Sequence, residues 1–283
     1  MPELPEVEYA RRHLARWMRG AAITSVHVAD TRIVRGGSAR AIERALEGRV
    51  VEGVIRRGKW LRLALDDGAL VFSHLGMTGK WVARSMSDEA LRSERIRVDL
   101  RRGKVISSVR YVDPRLFGRF VVAREDIAPW RTLGPDPLAD GVDVGALALA
   151  FAGLRRTVKE ALMDQTVLAG VGNILATEAL WRARLDPRSR TDALTRADVR
   201  ALARGVDAAI AASLAAESGE EITYVEEAGA PNPFRIYGRG GELCPRCKAP
   251  LARIVLGGRG TVFCKTCQRK LDTRHRSQPR SLS

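Results

Sequence analysis

The sequence contains no apolar run long enough to cross a membrane, and its N-terminus has neither the basic start nor the apolar core of a secretory signal. We therefore expect an intracellular protein without a membrane partner. Acidic residues are also in short supply: 33 Asp plus Glu face 48 Lys plus Arg, which leaves a net charge of +15 spread along the chain. This balance favours an extended polyanion, nucleic acid above all, as the partner. A basic surface that serves only solubility is the alternative.

Cysteine is scarce and confined to one stretch near the C-terminus. Two Cys-x-x-Cys pairs, sixteen residues apart, supply all four: Cys244, Cys247, Cys264 and Cys267. In a reducing compartment this pattern favours a metal site over a disulfide framework. Two such pairs can place four thiolates tetrahedrally around one ion and leave no open position, which suits a single structural Zn²⁺. A redox role would need only one of the pairs.

The 283 residues are enough for two domains and a small third module. Apolar residues at helical spacing predict an amphipathic helix over 5–19, and a capped helix follows at 38–46. Period-two runs separated by turn signals predict a β-sandwich around them. Its strands are expected at 23–28, 50–55, 60–65, 70–74, 96–100, 105–112 and 117–123.

Beyond a Pro- and Gly-rich stretch at 130–141 the apolar period changes from two to about 3.6, which predicts a helical domain. Between the cysteine pairs, strands at 251–256 and 261–263 should form a hairpin with residues 257–260 at its tip. The domains are therefore expected at 1–130, 131–225 and 226–268, with a polar, basic tail at 269–283 that should be disordered. The helices of the second domain are predicted at 143–154, 157–164, 173–183 and 196–217.

The N-terminus carries a potential nucleophile. Met1 precedes a small residue and should be removed, which exposes Pro2 as a secondary amine with a pKa near 8. Attack of that amine on a sugar C1′ would give an iminium ion with no N–H to lose, and such an electron sink favours loss of a C2′ proton and elimination of phosphate. Glu3 could deliver or collect a proton, and Glu6 could orient it. The alternative is a helix start with acidic residues near its N-terminus.

Seven features occur in one order along nearly the whole chain, and together they resemble the formamidopyrimidine-DNA glycosylase (Fpg/Nei) family. The resemblance implies an α+β fold: an N-terminal β-sandwich with an N-terminal helix, a helical domain with a helix-two-turns-helix motif and a C-terminal four-cysteine zinc finger, with DNA in the cleft. The features are Met1-Pro-Glu-Leu-Pro-Glu-Val-Glu8, His74-Leu-Gly-Met-Thr-Gly79, Asp113-Pro-Arg-Leu-Phe-Gly118, Leu162-Met-Asp-Gln165, Gly170-Val-Gly-Asn-Ile174, Tyr237-Gly-Arg239 and the cysteine finger.

The resemblance also implies a role for individual residues. The catalytic set would be Pro2 as the Schiff-base nucleophile, Glu3 as acid and base with Glu6 in support, Lys59 in strand cleavage, and Arg259. The remaining positions would contact DNA. The expected backbone contacts are His74, Asn173 and Arg259, and Lys159 is expected to bind DNA as well. The residues expected to fill the space of the extruded base are Met77, Arg115 and Phe117.

Each of these positions has an ordinary structural alternative. Without the resemblance, Met77 and Phe117 would be core residues and His74 a buried strand histidine. Asn173 would be a helix cap, and Arg259 a solvated loop charge. Two departures from the family pattern stand out: Leu116 replaces a second arginine, and residues 219–237 lack the usual loop that closes on 8-oxoguanine.

The activity that the resemblance implies is bifunctional. A DNA glycosylase and AP lyase would remove oxidised purines, formamidopyrimidine and 8-oxoguanine, through a Schiff base and β,δ-elimination. It would act as a monomer on double-stranded DNA and need no catalytic metal or nucleotide cofactor. Two alternatives stay open: an endonuclease VIII-like glycosylase for oxidised pyrimidines, and a non-catalytic protein that binds damaged DNA.

Overall fold

The computed structural model describes residues 2–271, so Met1 and most of the predicted tail lie outside the described residues. The α-helices are α1 (Leu4–Met18), α2 (Ala39–Leu46), α3 (Ala128–Arg131), α4 (Val144–Ala152), α5 (Val158–Leu162), α6 (Asn173–Arg182) and α7 (Arg196–Ala216). The strands are β1 (Ala22–Val28), β2 (Val34–Arg35), β3 (Val51–Arg57), β4 (Trp60–Leu65), β5 (Leu70–His74), β6 (Lys80–Arg84), β7 (Glu94–Arg102), β8 (Val105–Val112), β9 (Arg119–Ala123), β10 (Ala252–Leu256) and β11 (Arg259–Phe263).

The first domain is a β-sandwich, as predicted. One sheet has the order β1-β7-β8-β6 and the other β2-β9-β5-β4-β3, and neighbours pair antiparallel except for the short parallel pair β2-β9. Period two explains β4, where Leu61, Leu63 and Leu65 all lie in the core. The sequence analysis missed β2, which has two residues, and β6, whose buried neighbours Trp81 and Val82 break the alternation.

Helix α1 joins the two domains. Its residues Val7, Ala10 and Leu14 recur at helical spacing and pack into the sandwich core, whereas Leu4 belongs to the core of the helical domain. The backbone N–H of Leu4 donates to the carbonyl oxygen of Gly170 at 3.0 Å. The start of the chain is therefore held between the domains.

The helical domain surrounds α6. Residues 173–181 are all buried, and Gly205 of α7 lets the two helices approach closely, since a Cβ there would lie 2.6 Å from the carbonyl oxygen of Ala179. Helix α5, the turns at 163–172 and α6 form the helix-two-turns-helix motif. This arrangement directs the N-terminus of α6 at the start of α1.

The cysteine finger contains the hairpin β10-β11. Its turn is the pair Gly257-Gly258, with φ values of +55° and +72°, a backbone conformation that glycine adopts freely. Arg259 pairs with Leu256 and so begins the second strand, two residues earlier than predicted. The carbonyl oxygen of Arg269, the first residue of the predicted tail, accepts a hydrogen bond from the backbone N–H of Asp186. This residue is therefore bound to the helical domain, unlike the disordered tail that was predicted to begin here.

A buried ion cluster locks the linker between the domains to the sandwich. Arg56 forms a bidentate pair with Asp136 and also contacts Glu8 of α1 at 3.2 Å. Asp136 accepts the backbone N–H of Gly58 at 2.7 Å, which fixes the turn that precedes Lys59. Across residues 2–271 the helices are all too short or too polar to span a bilayer.

Candidate active site

Five of the predicted site residues, from five different parts of the chain, line one cavity. Its volume is about 290 Å³, and it lies where the chain start, the sandwich, α6 and the finger hairpin meet. Trp60 and Gln165 also line it, and the sequence analysis assigned a role to neither, although Gln165 ends one of the motifs that carried the resemblance. The five residues are Pro2, Lys59, His74, Asn173 and Arg259.

Glu3 is buried beside this cavity at the N-terminus of α6. One oxygen of its carboxylate accepts the N–H groups of Gly172 and Leu175, each at 3.0 Å, and the other accepts that of Ile174 at 2.8 Å. A helix N-terminus offers such unpaired N–H donors and a positive end of the helix dipole. The carboxylate next to Pro2 is therefore held in one orientation by main chain alone.

Gly172 is essential to this arrangement, and the sequence analysis gave it no role. A Cβ at this position would lie 2.4 Å from Oε1 of Glu3 and 2.6 Å from Nζ of Lys59. Both side chains therefore converge on a position that only glycine can occupy without displacing them. The motif Gly-Val-Gly-Asn before α6 is the signal that could have indicated it.

The charged groups around Pro2 have perturbed proton affinities. Burial raises the pKa of Glu6 to about 7, and the neighbouring Glu3 and Glu217 carboxylates add to the effect. Burial also lowers the pKa of Lys59; the Glu3 carboxylate opposes that shift and the Arg259 charge reinforces it. Glu6 in turn accepts the backbone N–H of Glu3 at 2.8 Å, as part of the capping box of α1. Glu6 thus orients Glu3 through the main chain.

His74 presents a neutral ring to the cavity. Burial lowers its pKa to about 4, and the charges of Lys59 and Arg119 contribute. Nδ1 accepts the N–H of Gly76 at 3.0 Å, so the ring proton sits on Nε2 and is available as a donor. A neutral Nε2–H can bond a phosphate oxygen without carrying a charge.

Asn173 and Lys159 form one buried unit behind the cavity. The ammonium of Lys159 donates to Oδ1 of Asn173 at 2.6 Å and also bonds the hydroxyl of Thr261. Nδ2 of Asn173 donates to the carbonyl oxygen of Gly260 at 3.2 Å, and the Asn173 side chain also hydrogen-bonds that of Tyr237. Lys159 has no exposed surface, so the DNA contact expected of it stays a prediction. Its position instead fixes the amide of Asn173.

The three residues predicted to fill the space of an extruded base lie together on two neighbouring turns of the sandwich, 74–79 and 113–118. Phe117 is 50% exposed, unlike a core residue, and the guanidinium carbon of Arg115 lies 4.9 Å from its ring centre. Met77 is half-buried on the facing turn. We call these three residues the wedge.

Buried Asp113 holds the wedge turns together. Its carboxylate accepts the hydroxyl of Thr78 at 2.7 Å and the N–H of Gly118 at 2.8 Å. The turns touch so closely that a Cβ on Gly76 would lie 2.4 Å from the carbonyl carbon of Phe117. The wedge therefore has a rigid base.

Leu116, one of the two departures from the family pattern, turns away from the wedge. Its φ of +58° is in the left-handed region, and its side chain packs against the sandwich core. Leucine therefore supplies an apolar side chain that packs against the core, at a position where the family pattern has an arginine.

The four cysteines fit one tetrahedral metal ion. Their sulfurs all lie within 4.8 Å of one another, with 4.0 Å between Cys244 and Cys267 and 3.5 Å between Cys247 and Cys264. Zn–S bonds of about 2.3 Å in a tetrahedron predict S–S separations of about 3.8 Å. The finger holds one structural zinc ion, and all four coordination positions are filled by sulfur.

Comparison with protein-family sequence profiles assigns all three parts of the chain. The profile of the formamidopyrimidine-DNA glycosylase N-terminal domain matches residues 1–120, that of the H2TH domain of the same enzyme matches 133–224, and that of a zinc finger found in these glycosylases and in isoleucyl-tRNA synthetase matches 241–269. The fold and the profiles together define a base-excision DNA repair glycosylase.

Individual relatives agree over the full length, and the chain belongs to the formamidopyrimidine-DNA glycosylase family. It is 33% identical to the enzyme of Desulfitobacterium hafniense and 36% identical to that of Pseudomonas paraeruginosa, over 95% of this chain and all of each relative. It is similar in structure to the Lactococcus lactis enzyme bound to DNA with an AP site, with a TM-score of 0.83, 28% identity and coverage of 95% and 100%.

Proposed function

We propose that this chain removes oxidised purines from double-stranded DNA and then cuts the strand, with Pro2 as the covalent catalyst. The observation that carries the proposal is that Pro2 and Lys59 line one cavity, with the bound carboxylate of Glu3 buried directly beside it. Similar proteins support the substrate class: the L. lactis enzyme has been solved with DNA that contains Fapy-dG, and a MutM with DNA that contains carbocyclic 8-oxoguanine.

The proposed reaction starts with attack of the Pro2 nitrogen on C1′. The N–C1′ bond forms as the C1′–base bond breaks, and the base leaves with the proton that the Pro2 nitrogen gives up. Glu3 then donates a proton to the ring oxygen, and the C1′–O4′ bond breaks as the nitrogen lone pair forms the C1′=N bond. The resulting iminium ion accepts the electron pair of the C2′–H bond when that proton is removed. Elimination then expels the 3′ phosphate and, in a second round, the 5′ phosphate. The gap is one nucleotide with a phosphate at each end.

The other residues around the active site can bind the DNA in different ways. Arg259 is exposed on the finger strand, His74 offers an uncharged N–H donor, and the amide of Asn173 lines the same cavity, so the three can hold phosphate oxygens on either side of the extruded nucleotide. The wedge residues Met77 and Phe117 can replace the lost stacking, and the guanidinium of Arg115 can bond the orphaned partner base. Zinc supports the finger and takes no part in the chemistry.

Several coarser expectations follow from this assignment. The domain limits 1–130, 131–225 and 226–268 are kept as our proposal, with the boundary in the linker that Asp136 fixes. The proposed catalytic groups Pro2, Glu3 and Lys59 come from one chain, and we expect the protein to act as a monomer. A DNA substrate implies work on the chromosome and hence a cytoplasmic location.

Oxidised pyrimidines are the second candidate substrates. Residues 219–237 differ from the usual loop around 8-oxoguanine, and an L. lactis Fpg has also been solved with DNA that contains an oxidised pyrimidine. Side-by-side cleavage of duplexes with formamidopyrimidine, 8-oxoguanine or thymine glycol separates the two. We expect the purine lesions to be cut at least tenfold faster, and the reverse order would assign the chain to the second class.

Trapping tests catalysis itself. Borohydride reduction in the presence of an abasic duplex should give a covalent adduct with the wild type and far less with Pro2→Gly. A wild type that binds the duplex but forms no adduct would identify a non-catalytic protein that binds damaged DNA.

A further inference from the structure

The segment that departs most from the family pattern crosses from the helical domain to the β-sandwich. We call residues 219–227 the crossing segment. It leaves the end of α7, and its side chains Ile222 and Tyr224, each 4% exposed, lie in the sandwich core. The hydroxyl of Tyr9 on α1 donates to the carbonyl oxygen of Gly219 at 2.6 Å, which fixes its first residue.

Three ion pairs line the crossing segment. Glu220 pairs with Arg16 at 2.7 Å, Glu221 with Arg84 at 2.6 Å and Glu227 with Lys80 at 2.6 Å. The glutamates are exposed to solvent by 40% or more, so these pairs are screened by water and salt. The buried side chains, rather than the ion pairs, hold the segment in place.

Tyr224 makes the decisive contact. Its hydroxyl donates to the carbonyl oxygen of Gly79 at 2.6 Å, and burial raises its pKa, so the hydroxyl stays protonated as a donor. Gly79 ends the turn that carries Met77. The packing beside Gly79 is tight: a Cβ on Gly79 would lie 2.0 Å from the hydroxyl oxygen of Tyr111, and so would a Cβ on Gly118. The Tyr224 bond is therefore made to the rigid base of the wedge.

Tyr224 also lines two cavities. One, of about 170 Å³, is lined by Glu6 and Ile174, which both hydrogen-bond Glu3, and by residues at the end of α7. The other, of about 870 Å³, is lined by Met77 and Arg115 of the wedge. The smaller cavity lies beside the N-terminal catalytic end of the chain, where an extruded base would be received. The larger cavity lies beside the wedge, which would replace that base in the duplex.

We propose that Tyr224 is a positioning residue that couples the two events of base extrusion: its hydroxyl holds the wedge turn against the wall of the cavity that receives the flipped base. This inference rests on the proposed function. When the hydroxyl is absent, the carbonyl oxygen of Gly79 loses its partner and the wedge turn can shift relative to the base cavity. Extrusion becomes slower, whereas chemistry at a site that already lacks its base does not change.

The test uses Tyr224→Phe, which removes one oxygen and keeps the buried ring. Tyr9→Phe is the matched control, because it removes a bond of the same length to the same segment but away from the wedge. A duplex with 2-aminopurine beside the lesion reports wedge insertion by its fluorescence, without any need for catalysis. Single-turnover base excision and borohydride trapping on a preformed abasic site are measured on the same proteins.

We expect Tyr224→Phe to slow the fluorescence rise and base excision about five- to tenfold, which lies within the range for one lost hydrogen bond. Trapping on the abasic duplex should stay within twofold of the wild type, and Tyr9→Phe should match the wild type in all three assays. Equal losses in excision and trapping would overturn the proposal, because they indicate a general structural role. So would an unchanged fluorescence rate. If the wild type excises none of the lesions, the proposed function fails, but the fluorescence comparison still decides the role of Tyr224.

Discussion

Replacement of Gly172 by alanine should damage catalysis through a single added carbon atom. The backbone at this position has φ of −130° and ψ of −155°, an extended conformation open to alanine, so no backbone strain arises. The new Cβ would lie 2.4 Å from Oε1 of Glu3 and 2.6 Å from Nζ of Lys59 and must displace at least one of them. Loss of one charge-assisted hydrogen bond costs about 1.5 to 3 kcal/mol, which is about 10- to 150-fold in rate.

The assay is single-turnover borohydride trapping on an abasic duplex, with circular dichroism to confirm the fold. Gly53→Ala is the matched control, because a Cβ on Gly53 meets nothing within 4 Å. The control should trap as the wild type does. If Gly172→Ala traps within twofold of the wild type, then the carboxylate of Glu3 and the amine of Lys59 do not act in the positions described.

Three further predictions follow from the site. Chelation should release one zinc ion per chain, measured by atomic emission, and abolish DNA binding while the sandwich keeps its circular dichroism; retained binding would contradict a structural role for the finger. Because the pKa of His74 falls from 6.5 to about 4 on folding, the free energy of unfolding should decrease as pH falls from 6.5 to 4, by at most about 3 kcal/mol more than in His74→Gln, measured by urea titration. Arg259→Ala should weaken DNA binding and reduce the slope of log K against log salt by about one; an unchanged slope would place this side chain away from phosphate.

Local patterns were enough to predict most of the fold. Period two and turn residues located strands such as β4, and helical spacing located α1, because one face of each is buried and the chain must alternate accordingly. The prediction failed where burial follows no period. In β6 Trp81 packs in the sandwich core against Tyr111 and Phe120, and Val82, on the opposite face of the strand, is buried as well.

The site was predicted less completely, because its geometry depends on contacts between distant residues. Glu3 is bonded to the N–H groups of α6, some 170 residues later in the chain, and no local pattern around Glu3 contains that information. The same holds for Lys159, whose partners Asn173 and Thr261 bury it behind the cavity. Motifs identified these residues, but only the folded chain distinguishes a group at the cavity from one that supports it.

The most direct test of the account is to locate the covalent bond. The wild type is incubated with an abasic duplex and borohydride, digested, and analysed by tandem mass spectrometry. We predict a chain that starts at Pro2 and a reduced sugar adduct on the Pro2 nitrogen. An adduct on a lysine such as Lys59, or full activity in protein that retains Met1, would contradict the mechanism.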